Sequence, residues 1–241
     1  MSQRIEYPHE FRYGQTLFKK NNYSWRRIRR CTHQGQNKVM YADKYERWKL
    51  LLTLWLLGYI ELYFGDESGF TMQPYVPYAW QKKGLTQRRF ARRQNNRLNV
   101  FGLMSLSGQL TVYHSEANLD GAFIKNCLDD FARKVHPKPY VIVLDNGPIH
   151  HAKVVKTEFD TWESQGLSIF YLPTYSPHLN PIEILWRFCK YKWLNKTHYK
   201  SWSTLKKAIL YIFKEYGSIY TISFTNLIVK NTQVSIKLNS A

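Results

Sequence analysis

Apolar residues occur along the chain in short dense runs, and the spacing between runs changes character from one stretch to the next. Tyr59-Ile60-Glu61-Leu62-Tyr63-Phe64-Gly65, Tyr140-Val141-Ile142-Val143-Leu144 and Leu167 to Leu172 have the length and continuity of buried strands. Asn99 to Ser105 and Gln109 to His114 read as two more, joined as a hairpin through Leu106-Ser107-Gly108. Between them the period becomes helical. Asp43 to Leu57 is a helix with Gly58 as its stop, and Asp120 to Val135 carries Phe123, Cys127, Leu128 and Phe131 on one face. Ala152 to Ser164 ends near Gly166, and Asn180 to Asn195 lines up Ile182, Leu185, Trp186, Cys189 and Trp193. Ser203 to Tyr216 is a last amphipathic helix, followed from Thr221 by a short strand or tail. Leading strands, one hairpin-linked, then strand and helix in alternation, predict an α/β fold with a mixed central sheet flanked by helices.

Two of the predicted strands stop on a carboxylate. The first runs into Asp66 and the second into Asp145. In open α/β sheets, reactive groups collect at the carboxyl ends of strands. If these two strands are neighbours, Asp66 and Asp145 stand side by side. Two carboxylates in close contact do not both stay ionised unless a cation separates them. The pattern therefore points to a divalent metal.

Charge sharpens that picture. The 241 residues hold 35 Lys and Arg against 17 Asp and Glu, a net charge of +18, and such a surface attracts polyanions, nucleic acid above all. Around Trp25, Arg26, Arg27, Arg29 and Arg30 form a basic segment that is either a solvated tail or a phosphate-tracking arm. Lys82, Lys83, Arg88, Arg89, Arg92, Arg93 and Arg97, interleaved with Trp80 and Phe90, suit a strand-contacting loop as well as a solvated hairpin. The most apolar stretch, Leu50 to Ile60, is shorter than the roughly 20 residues a membrane span needs. Cys31, Cys127 and Cys189 form no CxxC pair, which excludes a disulfide framework and a zinc ribbon and suits an intracellular protein.

A third carboxylate, Glu183, sits at a predicted helix start. Asn180 at N-cap, Pro181 at N1 and Glu183 at N3 match a capping box, and Arg187 lies one turn on as an ion-pair partner. Against these structural roles stands a functional one. Glu183, Arg187 and Lys190 share a flank distinct from the apolar face, which suits a phosphate-handling site.

Three blocks carry a family likeness: Asp66-Glu67-Ser68-Gly69-Phe70; Leu144-Asp145-Asn146-Gly147-Pro148-Ile149-His150; and Leu172-Pro173-Thr174-Tyr175-Ser176-Pro177-His178-Leu179-Asn180-Pro181-Ile182-Glu183. They resemble, in order, the blocks of the DDE transposases, specifically the bacterial insertion-sequence branch of the mariner-like superfamily. Tyr23-Ser24-Trp25 resembles that family's entry to its catalytic domain. The resemblance implies an RNase H-like fold with Asp66 and Asp145 on adjacent central strands and Glu183 on a following helix. It implies that all three bind two Mg²⁺ ions, with Mn²⁺ tolerated, and act on DNA. Asn146 is then a positioning residue or a turn residue, and His150 a contact to phosphate or metal-bound water, or a surface histidine. Adjacent His150 and His151 point apart and make no zinc pair, and Glu67 faces away from Asp66 on an extended strand.

The expected organisation is a basic segment over residues 1–42, the catalytic domain over 43–200, and a C-terminal helix and tail over 201–241. Helix-turn-helix modules, which family members usually carry first, are expected on an upstream-encoded polypeptide or to be missing. Self-association on DNA, a bacterial cytoplasmic setting at the nucleoid and no membrane partner complete the expectation. Two readings compete with the transposase: a remnant that only binds DNA, and an RNase H-fold nuclease that cuts without strand transfer.

Overall fold

A computed structural model describes residues 38–73 and 96–232. Five strands form one mixed sheet: β1 (Glu61–Thr71), β2 (Arg97–Ser105), β3 (Leu110–Ser115), β4 (Tyr140–Leu144) and β5 (Leu167–Tyr171). Their spatial order is β3-β2-β1-β4-β5. β2 is antiparallel to both β1 and β3, while β1, β4 and β5 run parallel. The hairpin turns at Gly108, whose φ of +93° suits a residue without Cβ.

Alternation along the central strands divides the interior into two layers. Leu62, Phe64, Phe70 and Val143 point to one side, where they join Trp48 and Leu52 of α1 (Lys38–Leu56) and Ile182, Leu185 and Trp186 of α5 (Ile182–Phe188). Leu205, Ile209 and Ile212 of α6 (Trp202–Lys214) close that layer. Tyr63, Ile142 and Leu144 point to the other side, against Ile124, Cys127, Leu128 and Phe131 of α2 (Gly121–Ala132). Two short helices, α3 (Lys153–Lys156) and α4 (Phe159–Ser164), complete it through Val155 and Trp162. Trp162 is anchored by its indole N–H, which donates to Asp129 Oδ1 at 2.9 Å.

Several expectations are corrected. β1 does not stop at Asp66 but runs five residues further to Thr71, because β2 keeps pairing with it as far as Thr71↔Arg97. The first helix starts at Lys38, earlier than Asp43. The helix expected over 152–164 is two pieces, α3 and α4, preceded by a 3₁₀ turn at Pro148–His151. That expected over 180–195 is α5 followed by a π-helical turn, Cys189–Trp193, in which Leu194 N–H reaches back to Cys189 O. The segment after Thr221 includes a helix, α7 (Thr225–Thr232), in place of the expected strand or tail. Tyr45 Oη on α1 donates to Asn231 Oδ1 on α7 at 2.9 Å, so the two ends of the described chain are tied together.

Candidate active site

The register of the parallel pair sets the site. The last β1–β4 partners are Phe64 and Val143, so Asp66 and Asp145 stand level, each two residues further along its own segment. β4 has ended by then, and Asp145 opens the loop that leads to the Pro148–His151 turn. Asp66 stays inside β1 and is only 9% exposed.

Glu183 arrives from above. The capping box does not form: Asn180 instead turns its amide to the sheet, and Nδ2 donates to Gly65 O at 3.0 Å. Pro181 is the N-cap of α5 and makes no side-chain cap. Asn180 thereby clamps the start of α5 onto β1 one residue before Asp66, which leaves the Glu183 carboxylate without a capping role. One turn further, Trp186 Nε1 donates to Asp66 Oδ2 at 3.0 Å. Gly102, paired across β2 with Asp66, makes room for that indole, since a Cβ there would stand 2.8 Å from the Trp186 ring. Trp186 reads in the sequence as one more apolar-face residue. Its indole N–H, aimed back at the carboxylate strand, has no sequence signal beyond its spacing from Glu183.

The electrostatics follow from this crowding. Burial first, then Glu183, Glu67 and Asp145, push the Asp66 carboxyl well above the usual carboxylate range. Burial also raises Glu183, and Asp145 adds to this, while Lys190 and Arg187 pull it down. Asp145 is lowered, first by His150, and its Oδ1 also accepts from Gly147 N–H at 2.9 Å. Beside Asp145 and Glu183 lies a cavity of about 490 Å³ that Asn146, Tyr175 and Asn180 also line. Tyr175 holds a positive φ of 56° at its mouth, the left-handed conformation being costly for a residue with Cβ.

His150 is not a surface residue. It is fully buried, with Nε2 3.2 Å from Asp145 Oδ1 and 3.3 Å from Glu67 Oε1. Burial alone would lower its pKa, but the two carboxylates outweigh it and hold the imidazole up at about 9. His151 points elsewhere, stacking on Tyr171 with ring centres 4.1 Å apart and meeting Asn146 Oδ1 through Nε2. The two histidines diverge as expected, and Asn146 spends its carbonyl on that contact. Of the basic residues, Arg187 is exposed on α5, and Lys190 is half-buried with its ammonium 5.4 Å from the Phe70 ring centre. Arg26, Arg27, Arg29, Arg30, Lys82, Lys83, Arg88, Arg89, Arg92 and Arg93 lie outside the described residues.

The donor set suits a hard divalent cation: oxygen ligands only, with one carboxyl whose burial and neighbours make a positive charge welcome. Among the described residues, no three His, Cys, Asp or Glu side chains stand close enough as they are to hold an ion. Asp66 Oδ2 accepts from Trp186, and Asp145 Oδ1 accepts from Gly147 and lies beside His150, so each aspartate has one oxygen engaged by the protein.

Known proteins resemble this chain in fold and in sequence. The family model of the DDE superfamily endonucleases matches residues 61–206, more than half of the chain. An insertion element IS630 protein of Shigella sonnei, described as an uncharacterized 39 kDa protein, is 26% identical over 152 residues, covering 61% of this chain and 43% of that protein. The chain thus spans less than half the length of that relative. Among solved structures, the Mos1 mariner paired end complex with Mg superposes with a TM-score of 0.62 at 15% identity, covering 97% of this chain and 79% of that one. The Mos1 strand transfer complex gives 0.60 at 15% identity, with coverage of 97% and 80%. The catalytic domain of Mos1 mariner transposase gives 0.51 at 15% identity, with coverage of 87% and 93%. At that identity the likeness speaks to the fold, which is RNase H-like. The chain belongs to the DDE superfamily endonucleases, and its likenesses run to an insertion-element protein and to the Mos1 mariner transposase.

Proposed function

We propose that this chain is the catalytic part of a transposase, cutting DNA at the ends of a mobile element and joining the freed 3′-hydroxyl ends to target DNA. The observation that carries the reading is the family match over residues 61–206, with Asp66 buried on β1, Asp145 just after β4 and Glu183 in the first turn of α5, which Asn180 and Trp186 tie to β1. Asp66, Asp145 and Glu183 hold the metal, two Mg²⁺ ions with Mn²⁺ accepted in their place. When bound, such ions supply Lewis-acid activation and charge neutralisation at the phosphate being displaced.

The chain's own groups do the rest. Asp66, fixed by Trp186 on a central strand, is the rigid ligand. Asp145 sits on the loop after β4, and Glu183 in the first turn of α5. Arg187 and Lys190 bind the DNA backbone beside the carboxylates, and the basic segments around residues 26–30 and 82–93 extend that track. Asn146 holds the loop through His151. The chain acts as an assembly of copies on DNA, in the bacterial cytoplasm at the nucleoid. Residues 43–200 are the catalytic domain, 1–42 a basic segment and 201–241 a C-terminal helix and tail.

The test incubates the purified protein with Mg²⁺ or Mn²⁺, DNA bearing the element's ends, and a target plasmid. Cleavage with joining is expected. Cleavage without joining points to an RNase H-fold nuclease, and retention of DNA without cleavage to a DNA-binding remnant. Asp145→Ala cutting as well as the parent would remove the metal assignment.

A further inference from the structure

The pleat of β1 turns Glu67 to the side opposite Asp66, and there it meets His150. This histidine is held through its backbone and packed against an aromatic ring. Its amide donates to Gly147 O at 3.1 Å, its carbonyl accepts from Tyr171 Oη at 2.7 Å, and its ring lies 6.1 Å from that of Phe101. Its Nε2 stands almost equally far from Glu67 Oε1 and Asp145 Oδ1, at 3.3 and 3.2 Å, but at angles too poor for a hydrogen bond. Glu67 Oε1, His150 Nε2 and His150 Nδ1 are all buried without a hydrogen-bond partner among the described residues. Nε2 and the two carboxylate oxygens are therefore held by charge at ion-pair distance, and desolvating such a buried cluster is costly, a cost a fold retains where the groups have a task.

We propose that Glu67 and His150 are positioning residues for Asp145: they hold Oδ1 toward the protein, so that Oδ2 is presented to a cation shared with Asp66. The sheet itself aims the ligand, because Glu67 is the next residue of β1 after Asp66. One strand thus supplies a ligand on one face and, through His150, the orientation of a second ligand from the other. The local turn at Gly147 grips the same Oδ1, so removing Glu67 or His150 loosens the carboxylate without releasing it.

The inference rests on the metal site proposed above, and the two are separable by experiment. The full chain is titrated with Mn²⁺, free ion being followed by its electron paramagnetic resonance signal, for the parent, Asp145→Asn, Glu67→Gln, His150→Gln and His150→Leu. Asp145→Asn is expected to abolish tight Mn²⁺ binding. Glu67→Gln and His150→Leu are expected to weaken it by about 10–100-fold, the usual effect of removing a group that orients a ligand. Glu67→Gln should keep the parent's unfolding midpoint and recover DNA cleavage at saturating Mn²⁺. His150→Gln, which keeps an N–H near the Nε2 position, should bind more tightly than His150→Leu. Parent-like Mn²⁺ affinity in Glu67→Gln overturns the inference, as does a lowered unfolding midpoint with unchanged affinity of the folded protein. A parent whose Mn²⁺ affinity is indifferent to Asp145→Asn overturns the metal site itself. Glu67 being partly exposed, its variant decides the matter even if His150→Leu does not fold.

Discussion

A carboxylate buried in the middle of a strand is costly unless something donates to it, and for Asp66 that donor is Trp186. Trp186→Phe keeps the ring packing against Phe70 and Phe213 but removes the N–H. The expected loss is about 1–3 kcal/mol of unfolding free energy, read from urea denaturation. The two described cysteines make a second residue-scale case. Burial pushes the thiols of Cys127 and Cys189 up to about 12. An unfolded thiol ionises near 9, so the fold retains protons that the unfolded chain releases. This contribution to stability is complete below pH 9 and is lost as pH rises toward 12. At pH 8, peptide mapping after treatment with a thiol reagent should find Cys127 and Cys189 unmodified in the native protein and modified in denaturant. Asp66, Asp145 and Glu183 stood out in the sequence because each closes an apolar run or opens a predicted helix, although Asp66 lies inside β1. Trp186, Gly102 and the Glu67–His150 contact did not, since each acts across strands or helices far apart in the chain.

At the scale of elements, local signals and tertiary demands did not always agree. Asp120 caps α2 as its position suggests, its side chain accepting from Phe123 N–H at 2.8 Å. Asp120→Ala should cost about 0.5–2 kcal/mol, measured as a lowered urea midpoint with unchanged far-UV spectrum. Asn180 has the same credentials at the next-to-last predicted helix but serves β1 instead, donating to the buried Gly65 carbonyl that faces the start of α5. Gly102 shows the converse, a strand residue whose smallness serves a helix. Gly102→Ala places a Cβ within 2.8 Å of the Trp186 indole and should destabilise by about 1–3 kcal/mol, with loss of the Trp186 near-UV signature as the specific readout. α7 went unread since its sequence, Thr225 to Thr232, is short and mixed, and it is held by docking on α1.

For the whole molecule, the net charge of +18 dominates its dealings with other molecules. Binding to DNA should weaken steeply with salt, because each phosphate neutralised releases condensed counterions. With six to ten such contacts, affinity falls by about 10³–10⁵ between 50 and 200 mM salt, and fluorescence anisotropy over that range measures it. A slope near zero would exclude the charged surface as the DNA-binding element. Among the described residues, no helix is long and apolar enough to cross a membrane, which accords with the shortness of the apolar run at Leu50 to Ile60.

The order of strands and helices, the basic surface and the three carboxylate blocks were determined by the sequence alone, because hydrophobic period, charge and turn residues are local properties. Which residues of different blocks touch was decided only in three dimensions. The extension of β1 past Asp66 depends on β2 as a partner, and the clamp of Asn180 on Gly65 depends on where α5 lands. The burial of His150 between Glu67 and Asp145 depends on the β1–β4 register. Each is a contact between segments distant in the chain, and its energy belongs to the packing of both.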